Sequence, residues 1–373
     1  MTLASTGEFG LIQRVTARMG TAATTLLGPG DDAALVAVPD GRVIATTDVL
    51  VEGRHFRSDW ASATEIGHRA AAANLADVAA MGGSPTALLV ALCIPPDLDP
   101  LWVEQLADGL AAETESVGAA VVGGDMAASP VITIAVTALG DLSGRAPVLR
   151  SGARPGDVLA MAGRIGQAAA GYTVLSRGFR SPKALVEAYR RPAVPYWAGP
   201  AGAALGATAM IDVSDGLLAD VGHIAVASNV GIDVRRDAFE VTQPMRDAAA
   251  ALGVDPYTWV LTGGDDHPIV ATFPTGTALP EGWIVIGRVL DGAGVTVDGR
   301  IYTDGAPGWD HFAGGEQRST HFAGGEQRST HFAGGEQRST HFAGGEQRST
   351  HFPGGEQRST HFAGGEQRGT NFR

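Results

Sequence analysis

Lysine is almost missing from this chain: Lys183 is the single one among 373 residues, and it follows Ser181-Pro182 instead of a glycine loop. A P-loop needs Gly-Lys-Ser/Thr and a protein kinase needs a strand lysine, so both of those ways of holding phosphate are excluded. Cysteine is equally scarce. Cys93 stands alone inside the apolar run Thr86 to Ile94, which leaves no disulfide framework and no thiolate metal site, and it reads as a small buried hydrophobe. Excess positive charge is lacking too. The formal net charge is −13, and the segment from His311 onward brings six Glu against seven Arg, so the body before it is more acidic still. Such a body is repelled by nucleic acid and by anionic membrane surfaces, which argues against both as partners. No run of about 18 apolar residues occurs, and Met1 to Gly10 offers neither a basic stretch nor an apolar core for export, so a cytoplasmic location is expected.

With 44% hydrophobic residues, the chain can bury a sizeable core, and its length suits two domains. Val43 to Val51 and Ala33 to Val38 read as strands joined in a hairpin at Pro39-Asp40-Gly41. Thr64 to Met81 reads as a helix with Thr64 as N-cap, closed by Gly82-Gly83. Strands at Thr86 to Ile94, Ala119 to Val122 and Val131 to Leu139, with a helix at Pro100 to Val117, complete an α+β layer. Ser151 to Gly156 is a Gly/Pro-rich boundary. Beyond it we expect helices around Gly166 to Arg177, Lys183 to Arg190 and Gly216 to Ala227. Strands are expected at Asp157 to Ala162, Gly231 to Val234, Trp259 to Thr262, Ile269 to Phe273 and Trp283 to Val289. From His311 the decapeptide His-Phe-Ala-Gly-Gly-Glu-Gln-Arg-Ser-Thr recurs six times with few deviations. One phenylalanine and one alanine per ten residues bury too little to offset ordering entropy, so this tail is expected to be disordered. Its six regularly spaced histidines offer no preformed chelate.

Seven aspartates sit beside glycine or at the ends of apolar runs: Asp31, Asp32, Asp48, Asp77, Asp125, Asp212 and Asp215. Several have ordinary explanations singly, as turn residues or, for Asp215, as an N-cap. Asp48 and Asp77 resist them. Period-two alternation places Ile44, Thr46, Asp48 and Leu50 on one strand face, where valine would serve packing better. Helical spacing puts Asp77 with Ile66, Ala70, Ala73 and Met81, on an Ala-rich helix that should be buried on more than one side. Two ionised carboxylates about 4 Å apart repel by roughly 4 kcal/mol even at an effective dielectric near 20. Mg2+, which takes carboxylate and phosphate oxygens, keeps such a group ionised in a segment poor in basic residues. Phosphoryl transfer asks mainly for in-line positioning and neutralised phosphate oxygens.

The ordered set Gly7-Glu8-Phe9, Gly30-Asp31-Asp32-Ala33, Thr47-Asp48 through Gly53 with His55-Phe56, Asn74-Leu75-Ala76-Asp77, Gly123-Gly124-Asp125, Arg150 to Asp157, Ile211 to Leu217 and Gly263-Gly264-Asp265-Asp266 resembles the thiamine-monophosphate kinase family. The match runs from about residue 7 to Phe312. The resemblance implies an α+β, two-domain fold of the aminoimidazole-ribonucleotide-synthetase type. In it, residues 1–149 form an α+β domain with a dimerising sheet, residues 150–312 an α/β domain, and 313–373 the repeat tail. It implies ATP and thiamine monophosphate as substrates, several Mg2+ ions, and a homodimer. On that basis Asp31, Asp32, Thr46, Thr47, Asp48, Asp77, Asp125, Asp212 and Asp215 would ligate metal, with Asp48, Asp77, Asp125 and Asp212 catalytic. Gly124, Asp125, Arg150 and Ser214 would contact ATP, and His55 and Asp265 the thiamine phosphate. The family's usual Gly-Gly-Glu-Asp-Tyr-Glu-Leu is here Gly263-Gly-Asp-Asp-His-Pro-Ile269, a carboxylate one methylene shorter with a backbone donor lost at Pro268. Alternatives are an aminoimidazole-ribonucleotide synthetase, or a magnesium-nucleotide-binding regulator without turnover.

Overall fold

A computed structural model describes residues 8–29 and 33–309; Asp31, Asp32 and the repeat tail lie outside them. Helix α1 (Glu8–Thr16) precedes β1 (Thr25–Leu27), β2 (Leu35–Val36), β3 (Ile44–Val51), α2 (Ala63–Ala80), β4 (Ser84–Ile94), α3 (Pro100–Ser116), β5 (Ala120–Ala128) and β6 (Thr133–Asp141). The chain continues through β7 (Val158–Ala162), α4 (Gln167–Ser176), α5 (Lys183–Arg190), α6 (Ala198–Ala204), β8 (Ala209–Asp212), α7 (Leu217–Ser228) and β9 (Gly231–Val234). Then follow α8 (Gln243–Leu252), α9 (Pro256–Thr262), β10 (Ile269–Phe273), β11 (Trp283–Leu290), β12 (Gly294–Val297) and β13 (Arg300–Ile301).

A four-stranded sheet has the order β3-β6-β4-β5, with β4 and β5 parallel and the other pairs antiparallel. The alternation expected of β3 is present: Thr46 and Asp48 are half-buried, Leu50 is buried, and Ala45, Thr47 and Val49 are exposed. Helices α2 and α3 cover the inner face through a core that includes Leu50, Ile66, Leu75, Leu88, Leu106, Leu110, Ile134 and Val136. They approach backbone to backbone. A Cβ on Gly67 would stand 2.2 Å from the Leu106 carbonyl oxygen, and one on Gly109 would stand 2.0 Å from that of Thr64, so only glycine allows this spacing.

The second sheet has the order β13-β12-β9-β11-β7-β10-β8, antiparallel except for β12 beside β9. One large core, including Leu175, Leu185, Val221, Ile224, Met245 and Val260, fills one of its faces. On the other face Ala160, Ala162, Met210, Ile269, Ala271 and Phe273 pack with Ala198 of α6 and with Ala79 and Ala80 of α2. The Ala-rich helix α2 therefore contacts both sheets, and its small side chains make that double packing sterically feasible.

Three local expectations are corrected. The two strands flanking Pro39-Asp40-Gly41 do not pair with each other: β2 pairs with β1 and β3 with the distant β6. The Asp40 carboxylate accepts from Arg42 N–H at 2.9 Å and binds its guanidinium at 2.8 Å, closing the turn without a hairpin. The N-cap of α2 is Ser62, not Thr64, with a reciprocal capping box to Glu65, which satisfies two helix-end amides at once. Residues 259–262 are helical instead of extended, because Asp255 caps Tyr257 N–H and Pro256 occupies the first turn of α9. Cys93 is half-buried, on the outer side of β4.

Candidate active site

The C-terminal part of α2 crosses the inner face of β3. Thr46 Oγ1 donates to Asp77 Oδ2 at 2.7 Å. Asp48 N–H donates to Asn74 Oδ1 at 3.0 Å, while Asn74 Nδ2 donates to Ala70 O at 3.0 Å. Asn74 is fully buried, so one amide side chain fixes Asp48 to the helix that carries Asp77.

From the second sheet, β8 ends at the buried Asp212, whose neighbour across the ladder is Ile269. Burial, then the charges of Asp212 and Asp48, push the Asp77 carboxyl up to about 7 against the pull of the Thr46 hydroxyl. Three carboxylates from β3, α2 and β8 thus share one electrostatic site. His267 joins it. Its buried imidazole Nδ1 lies 3.1 Å from Asp212 Oδ2; burial disfavours its charge, but Asp212, Asp265 and Asp77 outweigh that and raise its pKa.

The Asp212-to-Gly216 turn is held by a residue that motif reading overlooked. Asp220 Oδ2 accepts from the N–H groups of Ser214, Asp215 and Gly216 at 3.0–3.1 Å. Asp220 is buried on α7 beside Leu217, Val221 and Ile224, and a carboxylate in that helical stripe was the available signal. Burial first, then Asp212, raises its pKa to about 7. Asp215 is accordingly not the cap of α7, though its carbonyl accepts from Trp309 N–H at 2.9 Å. Asp265 has φ +69°, donates its N–H to Ser214 O at 3.0 Å, and pairs with Arg69 at 2.7 Å. His55 Nδ1 accepts from Val51 N–H at 3.0 Å, closing its own loop.

Other candidates stand apart. The Thr47 hydroxyl lies on the opposite face of β3 and donates to Val136 O at 2.9 Å. The pairing Asp48–Val136–Val90–Gly124 puts Gly124 three strands away, about 14 Å along the sheet. Asp125, one residue further, is exposed on the outer face. The glycine at 124 is required by packing, since a Cβ there would meet Val90 O at 2.0 Å. Arg150 O is anchored by Ser228 Oγ at 3.0 Å, at the far end of α7 from Ser214, about 18 Å along the helix.

Among the described residues, no three His, Cys, Asp or Glu side chains converge closely enough to chelate one ion alone. The donor chemistry nevertheless fits Mg2+, which prefers hard oxygen, keeps several waters, and takes one or two carboxylates alongside substrate phosphate. Burial first, and then the charges of Asp212 and Asp48, raise the proton affinity of Asp77, and a cation bound there would offset both. No helix among the described residues is long and apolar enough to cross a membrane.

Residues 30–142 match the family model described as AIR synthase related protein, N-terminal domain. A thiamine-monophosphate kinase of Mycobacterium tuberculosis is 48% identical over 313 residues, 83% of this chain and 93% of the relative. One from Corynebacterium glutamicum is 38% identical, covering 77% of this chain and 87% of the relative. Among solved structures, a thiamine-monophosphate kinase of Stenotrophomonas maltophilia K279a superposes with TM-score 0.70 at 33% identity, over 79% of this chain and 98% of that one. AaThiL complexed with AMPPCP and TMP superposes with TM-score 0.69 at 32% identity, over 84% and 99%. The α+β fold is therefore of the AIR-synthase type, and the chain belongs to the thiamine-monophosphate kinase family.

Proposed function

We propose that this chain transfers the γ-phosphate of ATP directly to thiamine monophosphate, giving thiamine diphosphate and ADP. An oxygen of the acceptor phosphate forms the new P–O bond as the bond from the γ-phosphorus to the bridging oxygen of ADP breaks. The observation that carries this reading is the gathering of Asp48, Asp77 and Asp212 from β3, α2 and β8, with Thr46 bonded to Asp77. Supporting it, a relative of the same family binds AMPPCP and TMP together.

Bound Mg2+ would neutralise the polyphosphate oxygens. Asp48, Asp77 and Asp212 would each offer a carboxylate oxygen to one of several such ions, with Asp31, Asp32, Thr46 and Asp215 as further oxygen donors and Thr47 through its main-chain carbonyl, since its hydroxyl faces the other side of β3. Asn74 and Asp220 keep the strand and turn that bear those groups in place before substrate arrives, so little reorganisation is left for the reaction step. Ser214, Gly124, Asp125 and Arg150 would contact ATP, and His55 and Asp265 the acceptor.

The chain acts as a homodimer on this reading, in the cytoplasm. The outer face of the four-stranded sheet presents Val49 and Leu89, 47% and 39% exposed, together with Ala45 and Ala91. A second copy covering it, with β5 of each chain beside β3 of the other, removes the free edges. That arrangement would set β5, with Gly124 and Asp125, beside the strand that carries Asp48 in the neighbouring copy, which would account for their separation within one chain.

The test is stoichiometry. ATP, thiamine monophosphate and Mg2+ should give ADP and thiamine diphosphate one to one, with neither product when thiamine monophosphate or Mg2+ is withheld. Nucleotide binding without diphosphate would overturn the proposal.

A further inference from the structure

The Asp212-to-Gly216 turn and the Gly263-to-Pro268 turn are joined main chain to main chain. His267 N–H donates to Val213 O at 3.2 Å, Val213 N–H donates to Pro268 O at 3.0 Å, and Asp265 N–H donates to Ser214 O at 3.0 Å. Within the second turn both Asp265 and His267 have left-handed backbones, at φ +69° and +52°, a conformation that costs free energy for a residue with a Cβ. Asp266 between them is committed elsewhere, since its carboxylate accepts from Ala168 N–H at the start of α4. The outcome is that His267 turns back towards the end of β8.

There the imidazole meets a single partner group. His267 and Asp212 are each 4% exposed, and Nδ1 lies 3.1 Å from Asp212 Oδ2. An ionised carboxylate can only accept, so Nδ1 carries the hydrogen and donates. Asp212 is paired through its backbone with Ile269 of β10, so the ladder fixes its Cα while the imidazole fixes the rotation of its carboxylate. Oδ2 is thereby engaged, and Oδ1 is the oxygen free of the imidazole. A carboxylate held in this way offers a cation one oxygen. That suits Mg2+ or Mn2+ in octahedral geometry better than Ca2+, which gathers about six to eight oxygens and often takes both from one carboxylate.

We propose that His267 is a positioning residue that sets the choice of metal: by holding Oδ2 of Asp212 it leaves that carboxylate to bind a small divalent cation through Oδ1 alone, and so disfavours Ca2+. This rests on the reading of Asp212 as a metal ligand, and it deepens that reading by naming the group that decides how Asp212 binds.

Competition binding on the full chain separates the two claims without turnover. Mn2+ is titrated in the presence of a nonhydrolysable ATP analogue, with free Mn2+ read by electron paramagnetic resonance, and Ca2+ is then added as competitor. Asp212→Asn tests the underlying reading: Mn2+ affinity should fall about tenfold or more, and an unchanged affinity overturns that reading and the proposal with it. His267→Leu should weaken Mn2+ about tenfold and raise the ratio of Ca2+ to Mn2+ affinity about fivefold or more, because Asp212 can then turn both oxygens to the larger ion. His267→Asn, whose amide nitrogen can stand where Nδ1 stands, should bring both quantities back to within about threefold of the parent. A loss in Asp212→Asn with parental binding in His267→Leu overturns the proposal alone. So does equal weakening of both ions in His267→Leu, or a folded His267→Asn that rescues neither quantity, since a purely structural role gives those results. Should His267→Leu fail to fold, the parent decides. Crystals loaded with Mn2+ and the same analogue should show the metal on Asp212 Oδ1 with the Nδ1–Oδ2 bond kept, and a metal on both oxygens or on the imidazole overturns the proposal.

Discussion

Replacing Asp77 by asparagine should make the protein more stable and inactive at once. In the free protein the Asp77 carboxyl is held near 7 in place of 3.8, mainly by burial and then by Asp212. Its raised folded value means that the native state binds the proton more tightly than the unfolded chain between pH about 4 and 7. Stability therefore falls as pH rises through that window and stays reduced above it. The full shift corresponds to about 4 kcal/mol. The side chain is half-buried and shares its field with Asp212, so a gain of about 1–2 kcal/mol is the reasonable expectation at pH 8. That is roughly 2–6 °C in Tm for a body of this size. The amide oxygen introduced by the substitution still accepts from Thr46, so no hydrogen bond is lost. The assay is thermal unfolding of parent and Asp77→Asn in EDTA at pH 5 and pH 8, alongside diphosphate formation. We expect a clear Tm gain at pH 8, a smaller one at pH 5, and activity reduced by about 10²-fold or more, in the range seen when one electrostatic stabiliser is removed. A variant less stable than the parent at pH 8, or one retaining a tenth of the activity, would refute the reasoning.

Asp48→Asn should abolish transfer while circular dichroism stays that of the parent, because the bond to Asn74 is made by the backbone of residue 48 and survives the substitution. Mixing two inactive variants, Asp48→Asn and Asp125→Asn, should restore up to about a quarter of parental activity if Asp125 serves the neighbouring copy, since half the dimers then hold one intact site; no restoration would place Asp125 in its own chain's site or outside any. Asp266, whose carboxylate accepts from Ala168 N–H at 3.0 and 3.1 Å, is pushed up to about 7 chiefly by burial. Its ionisation destabilises the fold as pH rises from about 4 to beyond 7, so Asp266→Asn should flatten the stability curve over that range, and an unaltered curve would contradict the burial argument. Truncation after Phe312 should leave kcat and KM unchanged; a collapse in activity would give the repeats a role in the active body.

The parts that local pattern could reach were reached. Lys183–Arg190 is helical over the expected residues, and the alternation of Thr46, Asp48 and Leu50 correctly gave the side of β3 that faces α2. Double burial of α2 followed from its alanines. Failures occurred where the partner is remote or the punctuation was misjudged. The apparent hairpin at Pro39 to Gly41 fails because β3 finds its eight-residue partner in β6, a pairing that no window around residue 40 contains. Strand β5 continues to Ala128 because Gly123-Gly124 fits against β4, where it had looked like a turn. Asp255-Pro256 was a readable helix start that the aromatic and β-branched residues after it obscured. The roles of Asn74, Asp220 and Arg69 are not legible in local pattern for a different reason: each acts on a main-chain or side-chain group brought near only by folding.

Metal location tests the central claim most directly. Crystals grown with Mn2+ in place of Mg2+, a nonhydrolysable ATP analogue and thiamine monophosphate should give anomalous peaks at about 2.0–2.2 Å from carboxylate oxygens of Asp48, Asp77 and Asp212, bridged to the nucleotide phosphates. Nucleotide bound with those three carboxylates free of metal would contradict the account.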